Sequence, residues 1–111
     1  MGRYINYVEI QGKVGTVRIQ PINGSKVANF SVVTQRLYTN SNNVSVAEAT
    51  WHVVTAWQND SLCLEGLEKG VFVNVKGYIR TSMYTSAAGA EKTYAEIVAS
   101  SLKILPENEE V

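Results

Sequence analysis

From Val71 to Tyr84 the chain sorts its side chains into two sets by simple alternation. Val71, Val73, Val75 and Ile79 form one set; Asn74, Lys76, Tyr78, Arg80, Ser82 and Tyr84 form the other. Successive side chains of a strand point to opposite faces, so a period of two marks a strand with an apolar inner face. Its outer face interleaves cations with aromatic rings. Rings stack bases and cations track phosphates, so this surface suits a single-stranded nucleic acid.

The rest of the chain reads largely as strands too. Residues 4–11 are rich in β-branched and aromatic side chains, and Gly12 and Gly15 predict a bulge or sharp bend. Residues 17–22 make a second short extended piece, followed by the tight-turn pair Asn23-Gly24. Residues 27–38 form a long strand with Ala28, Phe30 and Val32 on one face. Residues 40–49 and 85–91 read as mobile polar loops. In the strand 50–57, Trp51, Val53, Thr55 and Trp57 share one side, and His52, Val54 and Ala56 the other.

Between that strand and the next, the spacing predicts one short helix. Asn59 or Asp60 would cap it, Cys63, Leu64 and Leu67 would form its apolar face, and Gly70 would close it. Gly66 inside costs about 1 kcal/mol relative to Ala, so packing would have to hold it. Residues 93–105 supply a last strand. The expected fold class is therefore all-β: a five-stranded Greek-key barrel of the OB type, with one short helix between strands three and four. The domain would occupy residues 1–105, leaving a short acidic end over 106–111.

Composition removes several functions. The 111 residues suffice for one domain, and 45% apolar content can build a core. Ten basic and ten acidic residues balance, but Glu107, Glu109 and Glu110 sit at the very end, leaving a mildly basic body. Cys63 is the only cysteine, which excludes an intramolecular disulfide. With His52 the only histidine, four nitrogen or sulfur ligands for zinc are not available. No catalytic motif occurs, and neither an enzyme activity nor a cofactor is expected. The absence of a long apolar run or leader-like start predicts a cytoplasmic protein with no membrane partner.

Six segments in order resemble a known family. They are Ile5-Asn6-Tyr7-Val8 with Gly12-Lys13-Val14-Gly15, then Val27-Ala28-Asn29-Phe30-Ser31-Val32, Thr50-Trp51-His52-Val53-Val54, Leu67-Glu68-Lys69-Gly70, Gly77-Tyr78-Ile79-Arg80-Thr81 and Tyr94-Ala95-Glu96-Ile97-Val98. They are similar, over residues 4–105, to the OB-fold domain of bacterial single-stranded DNA-binding proteins. The resemblance implies base stacking on Tyr38, Trp51, Trp57 and Tyr84. Phosphate or backbone contacts are expected at Arg3, Lys13, Lys76, Tyr78 and Arg80. It further implies a homo-oligomer, typically a tetramer, with Tyr7 and His52 at the interface.

Three departures accompany it. Tyr7 stands where the family usually has Lys, Ser82 where a cation often follows, and Glu9 adds an acid to the first strand. Fewer phosphate-facing cations predict weaker and less salt-dependent binding. The chain also stops without the long linker and acidic tip through which family members recruit replication and repair proteins, so such partners are not expected to be strong. The expected role is to protect single-stranded DNA and present it for replication, recombination and repair, near the nucleoid. The rivals are an OB-fold protein-interaction accessory with incidental nucleic-acid binding, and a carbohydrate-binding β-domain.

Overall fold

A computed structural model describes residues 2–59 and 62–106. Five strands follow in order: β1 Val8–Ile22, β2 Ser25–Thr39, β3 Ser45–Trp57, β4 Phe72–Thr85 and β5 Glu91–Leu105. They close into a barrel in the order β1-β2-β3-β5-β4, with β1 pairing back onto β4. All pairings are antiparallel except β3 with β5, where Val54, Thr55 and Ala56 run beside Ile97, Val98 and Ala99. This is the OB topology. No helix of the described residues is long and apolar enough to cross a membrane.

Alternation builds the core. Ala28, Phe30 and Val32 of β2 meet Ala56, Val54 and His52 across the ladder, and Val73 and Val75 complete the interior from β4. Asn23 and Gly24, with φ of 49° and 81°, take the paired left-handed conformations of a two-residue hairpin, and Ile22 and Ser25 face each other across it.

The two pieces expected over 4–11 and 17–22 are one strand. The glycine signal was a bulge: the register with β2 shifts between Val14 and Val17, while pairing continues on both sides. Ser31 Oγ holds the extra residues, accepting from the Thr16 amide at 3.0 Å and lying 2.9 Å from its hydroxyl. Residues 4–7, expected in the strand, precede it. There Asn6 replaces a strand partner, its side-chain amide donating to the Ile79 carbonyl (2.7 Å) and accepting from the Ile79 amide (3.0 Å).

The expected helix is absent among the described residues. The Leu67 amide bonds the Leu64 carbonyl and the Val71 amide the Glu68 carbonyl, so the segment makes successive tight turns. Gly66 and Gly70 adopt φ of 85° and 96°, and a left-handed residue at Gly66 does not fit inside a continuous right-handed helix. Asn59 does bend the chain, its Oδ1 accepting from the Leu62 amide at 3.0 Å; Asp60 lies outside the described residues. Leu62, Leu64 and Leu67 are still buried and join the core, whereas Cys63, expected on the apolar face, is exposed. Full burial of each leucine contributes about 1.5–3 kcal/mol, enough to hold an irregular segment onto the barrel.

Half of the first expected loop, residues 45–49, is ladder, whereas the second is a turn over 86–90 between paired ends. β2 and β3 pair out to Thr39 and Ser45, and β4 and β5 out to Thr85 and Glu91. Two twisted arms result, each ending in a short turn. At the first turn, Asn40 Oδ1 accepts from the amides of Asn42 (2.8 Å) and Val44 (3.1 Å). Ile79, expected inside, is half-exposed because the pairing of β1 with β4 ends at Gly77 and leaves it uncovered on that side. The acidic end, apart from Pro106, lies outside the described residues.

Candidate nucleic-acid interface

The outer face of β2, β3, β5 and β4 carries most of the residues of interest. On β3, Trp51 and Trp57 are 60% and 44% exposed. Trp51 sits opposite Val33 and its indole reaches over β2 to the bulge of β1. A Cβ placed on Gly15 would stand 2.8 Å from Cη2 of that ring, so only glycine leaves room for it. On β4, Tyr78, Arg80, Ser82 and Tyr84 share the outer face with Tyr94 and Glu96 of β5.

Tyr84 and Tyr94 are diagonal neighbours, their ring centroids 5.8 Å apart and tilted by 59°. Both rings are substantially exposed. A pair in this geometry adds about 0.5–1.5 kcal/mol beyond the area it buries, which steadies the second arm. Lys92 stands directly opposite Tyr84. Neither Tyr94 nor Lys92 was picked out from the sequence as a site residue. The signal was available for Tyr94, since alternation along β5 places it on the side of Glu96.

A polar knot joins these rows. The Glu96 carboxylate accepts from Arg80 Nη2 (2.7 Å), Arg80 Nε (3.0 Å), the Ser82 hydroxyl and the Thr55 hydroxyl (2.7 Å). The Thr55 hydroxyl also lies 3.1 Å from the Asn29 side-chain oxygen. Burial alone would raise the Glu96 pKa; the hydrogen bonds from Ser82, Thr55 and Arg80, with the Arg80 charge, more than offset it and hold the carboxyl below its usual range. The Arg80 guanidinium, expected to face phosphate, is thus tied to an acid.

Tyr38 does not join this face. The β2–β3 ladder runs without a bulge, so parity puts Tyr38, opposite Val46, on the other side of the ribbon from Trp51. Its ring lies 4.9 Å below the Arg36 guanidinium, which pairs at 3.5 Å with Glu48 across the ladder.

The other expected contacts are dispersed. Lys13 is on the outer face of β1, beside Val33. Lys76 stands opposite Glu9, whose carboxyl is held low by the Asn74 hydrogen bond and by Lys76 and Tyr7. Arg3 and Tyr7 lie on the exposed segment before β1. His52 is half-buried, its Nε2 2.9 Å from the Thr34 hydroxyl, and burial lowers its pKa. It borders an apolar cleft with Val8, Ile79 and Ile97, where β3 and β5 diverge. Among the described residues, no group of three or more His, Cys, Asp or Glu could hold a metal ion.

A closed five-stranded OB barrel bearing exposed tryptophans and tyrosines on one outer face defines a class of ligand-binding domain. Residues 5–105 match the model of the Single-strand binding protein family, and the chain belongs to that family. It is 33% identical over 105 residues to a single-stranded DNA-binding protein of Neisseria meningitidis, covering 91% of this chain and 60% of that protein. Single-stranded DNA-binding protein 1 of Chlorobaculum tepidum is 28% identical over 109 residues, 95% of this chain and 67% of that one. The chain thus spans about three-fifths of the length of the Neisseria relative. Among solved structures, the Plasmodium falciparum SSB complex with ssDNA superposes with a TM-score of 0.81 at 27% identity, over 96% of this chain and 99% of that one. A deletion mutant of the Thermus aquaticus protein, at 17% identity and a TM-score of 0.75, shares the fold.

Proposed function

We propose that this chain binds single-stranded DNA without strong sequence preference. Bases stack on Trp51, Trp57 and Tyr84, and on Tyr38 from the far side of the first arm. Phosphates pass near Lys13, Lys76 and Arg3, while Tyr78 and Arg80 border the path. The observation that carries the reading is the row of exposed rings on one face of the barrel, with Trp51 laid over Gly15. Family membership and the likeness to the Plasmodium falciparum SSB complex with ssDNA support it. No bond chemistry is part of the reading. Its use is to shield unpaired DNA and release it to replication, recombination and repair in the cytoplasm.

The same reading makes the protein a homotetramer, with Tyr7 and His52 near the contacts. The exposed apolar side chains of Tyr4, Ile5 and Tyr7 favour a self-associating surface at the start of the chain.

Fluorescence anisotropy of labelled oligo-dT, titrated at low and moderate salt, tests the function. Saturable binding that weakens with salt and is lost with duplex DNA of the same length supports it. No binding at low salt by folded protein contradicts it and favours a protein-interaction module.

A further inference from the structure

We propose that Glu96 is a positioning residue that compensates the charge of Arg80 and turns its guanidinium from a phosphate cation into a planar, charge-paired contact for bases. The inference rests on the reading of this face as a single-strand surface. Glu96 is only 5% exposed and takes four donor contacts, from Arg80, Ser82 and Thr55. A carboxylate so committed cannot turn away to free Arg80 without leaving a buried, unpaired charge. A phosphate approaching Arg80 therefore meets a pair with no net charge, and salt-dependent binding arises from cations that neutralise phosphates.

What Arg80 still offers is shape. Both bonds to Glu96 use the Nε–Nη2 edge, leaving Nη1 and the two guanidinium faces on a side chain that is 48% exposed. Its neighbours on the outer face are Tyr78, Ser82 and Tyr94. Guanidinium planes stack on unpaired bases as rings do. Lys13 and Lys92, by contrast, form no ion pair among the described residues and remain available to phosphate. The cation–aromatic interleaving along β4 thus contains one position whose charge is already spent.

Two variants test this through the salt dependence of oligo-dT affinity, each first checked for fold by circular dichroism and thermal melting. Arg80→Lys keeps the charge and the pairing but loses the plane. Its affinity should fall about two- to fivefold, with the slope of log K against log salt unchanged. Glu96→Gln uncovers the Arg80 charge. Its slope should steepen by about 0.7, an extra loss of about 2.6-fold between about 50 and about 200 mM salt. Wild-type affinity in Arg80→Lys, or a wild-type slope in folded Glu96→Gln, would overturn the proposal. Should Glu96→Gln not fold, Arg80→Lys decides alone. A wild-type protein that ignores oligo-dT would overturn the reading of the face itself.

Discussion

The Trp51 indole lies across Gly15, reaching from β3 over β2 to the bulge of β1. The contact ties an exposed ring to a backbone irregularity two strands away. Gly15→Val would put side-chain carbons where the ring now rests. Overpacking of this kind costs about 1–3 kcal/mol unless the neighbour moves, and here the half-exposed ring is free to move outward. The expected outcome is a red-shifted tryptophan emission and weaker oligo-dT binding with the barrel intact, read by fluorescence and circular dichroism.

Tyr38 and Trp51 face opposite sides of the β2–β3 arm. A short oligonucleotide lying across Trp51 and Trp57 cannot reach Tyr38, whereas a longer one can fold round the arm. Tyr38→Ala should therefore leave the affinity for a short oligo-dT near wild type and weaken binding of a long one by about 1–3 kcal/mol. Equal losses at both lengths in titration calorimetry would show that Tyr38 lies on the short path.

Tyr84 and Tyr94 pack against one another, so they should act as a unit. Tyr94→Ala is expected to weaken oligo-dT binding although its own contact with a base is not required, because it releases the Tyr84 ring. A double-mutant cycle checks this: the loss in the Tyr84→Ala, Tyr94→Ala double variant should be smaller than the two single losses combined.

Acid should weaken the fold in two stages. Burial holds His52 below its ordinary pKa, so the unfolded chain takes up that proton first, and stability falls as pH drops through about 6.5. Glu96 is depressed in the folded chain, so its contribution is intact above about 4.3 and is lost as pH falls through its lower folded value. Urea midpoints measured against pH should show both declines. His52→Gln should remove the upper one alone, since the amide can still meet Thr34.

Much of this was legible from alternation. The face of 71–84 placed Val73 and Val75 inside and Arg80 outside, as the barrel has them, and alternation over 50–57 parted Val54 and Ala56 from Trp51 and Trp57 without saying which side is inner. Alternation failed where a residue's partner lies far away in the chain. Nothing near Arg80 in sequence announces Glu96, and the charge of that arginine cannot be judged without the β4–β5 register. The helix over 59–70 failed for a local reason: leucine spacing satisfies a helix and a pair of turns equally, and the left-handed Gly66 chose the turns. The first arm was hidden because Asn, Ser and Ala signal a loop over 40–49, yet residues 45–49 pair with β2 and continue the ladder beyond the core. Parity across that ladder then parted Tyr38 from the other rings.

The central claim is that exposed rings on this face stack the bases of single-stranded DNA. The most direct test keeps Trp51 as the only tryptophan, through Trp57→Phe, and follows its emission while oligo-dT is added. The account predicts saturable quenching that tracks binding and declines with salt. Bound oligo-dT with Trp51 emission unchanged would contradict it, because the strand would then be held somewhere other than across that ring.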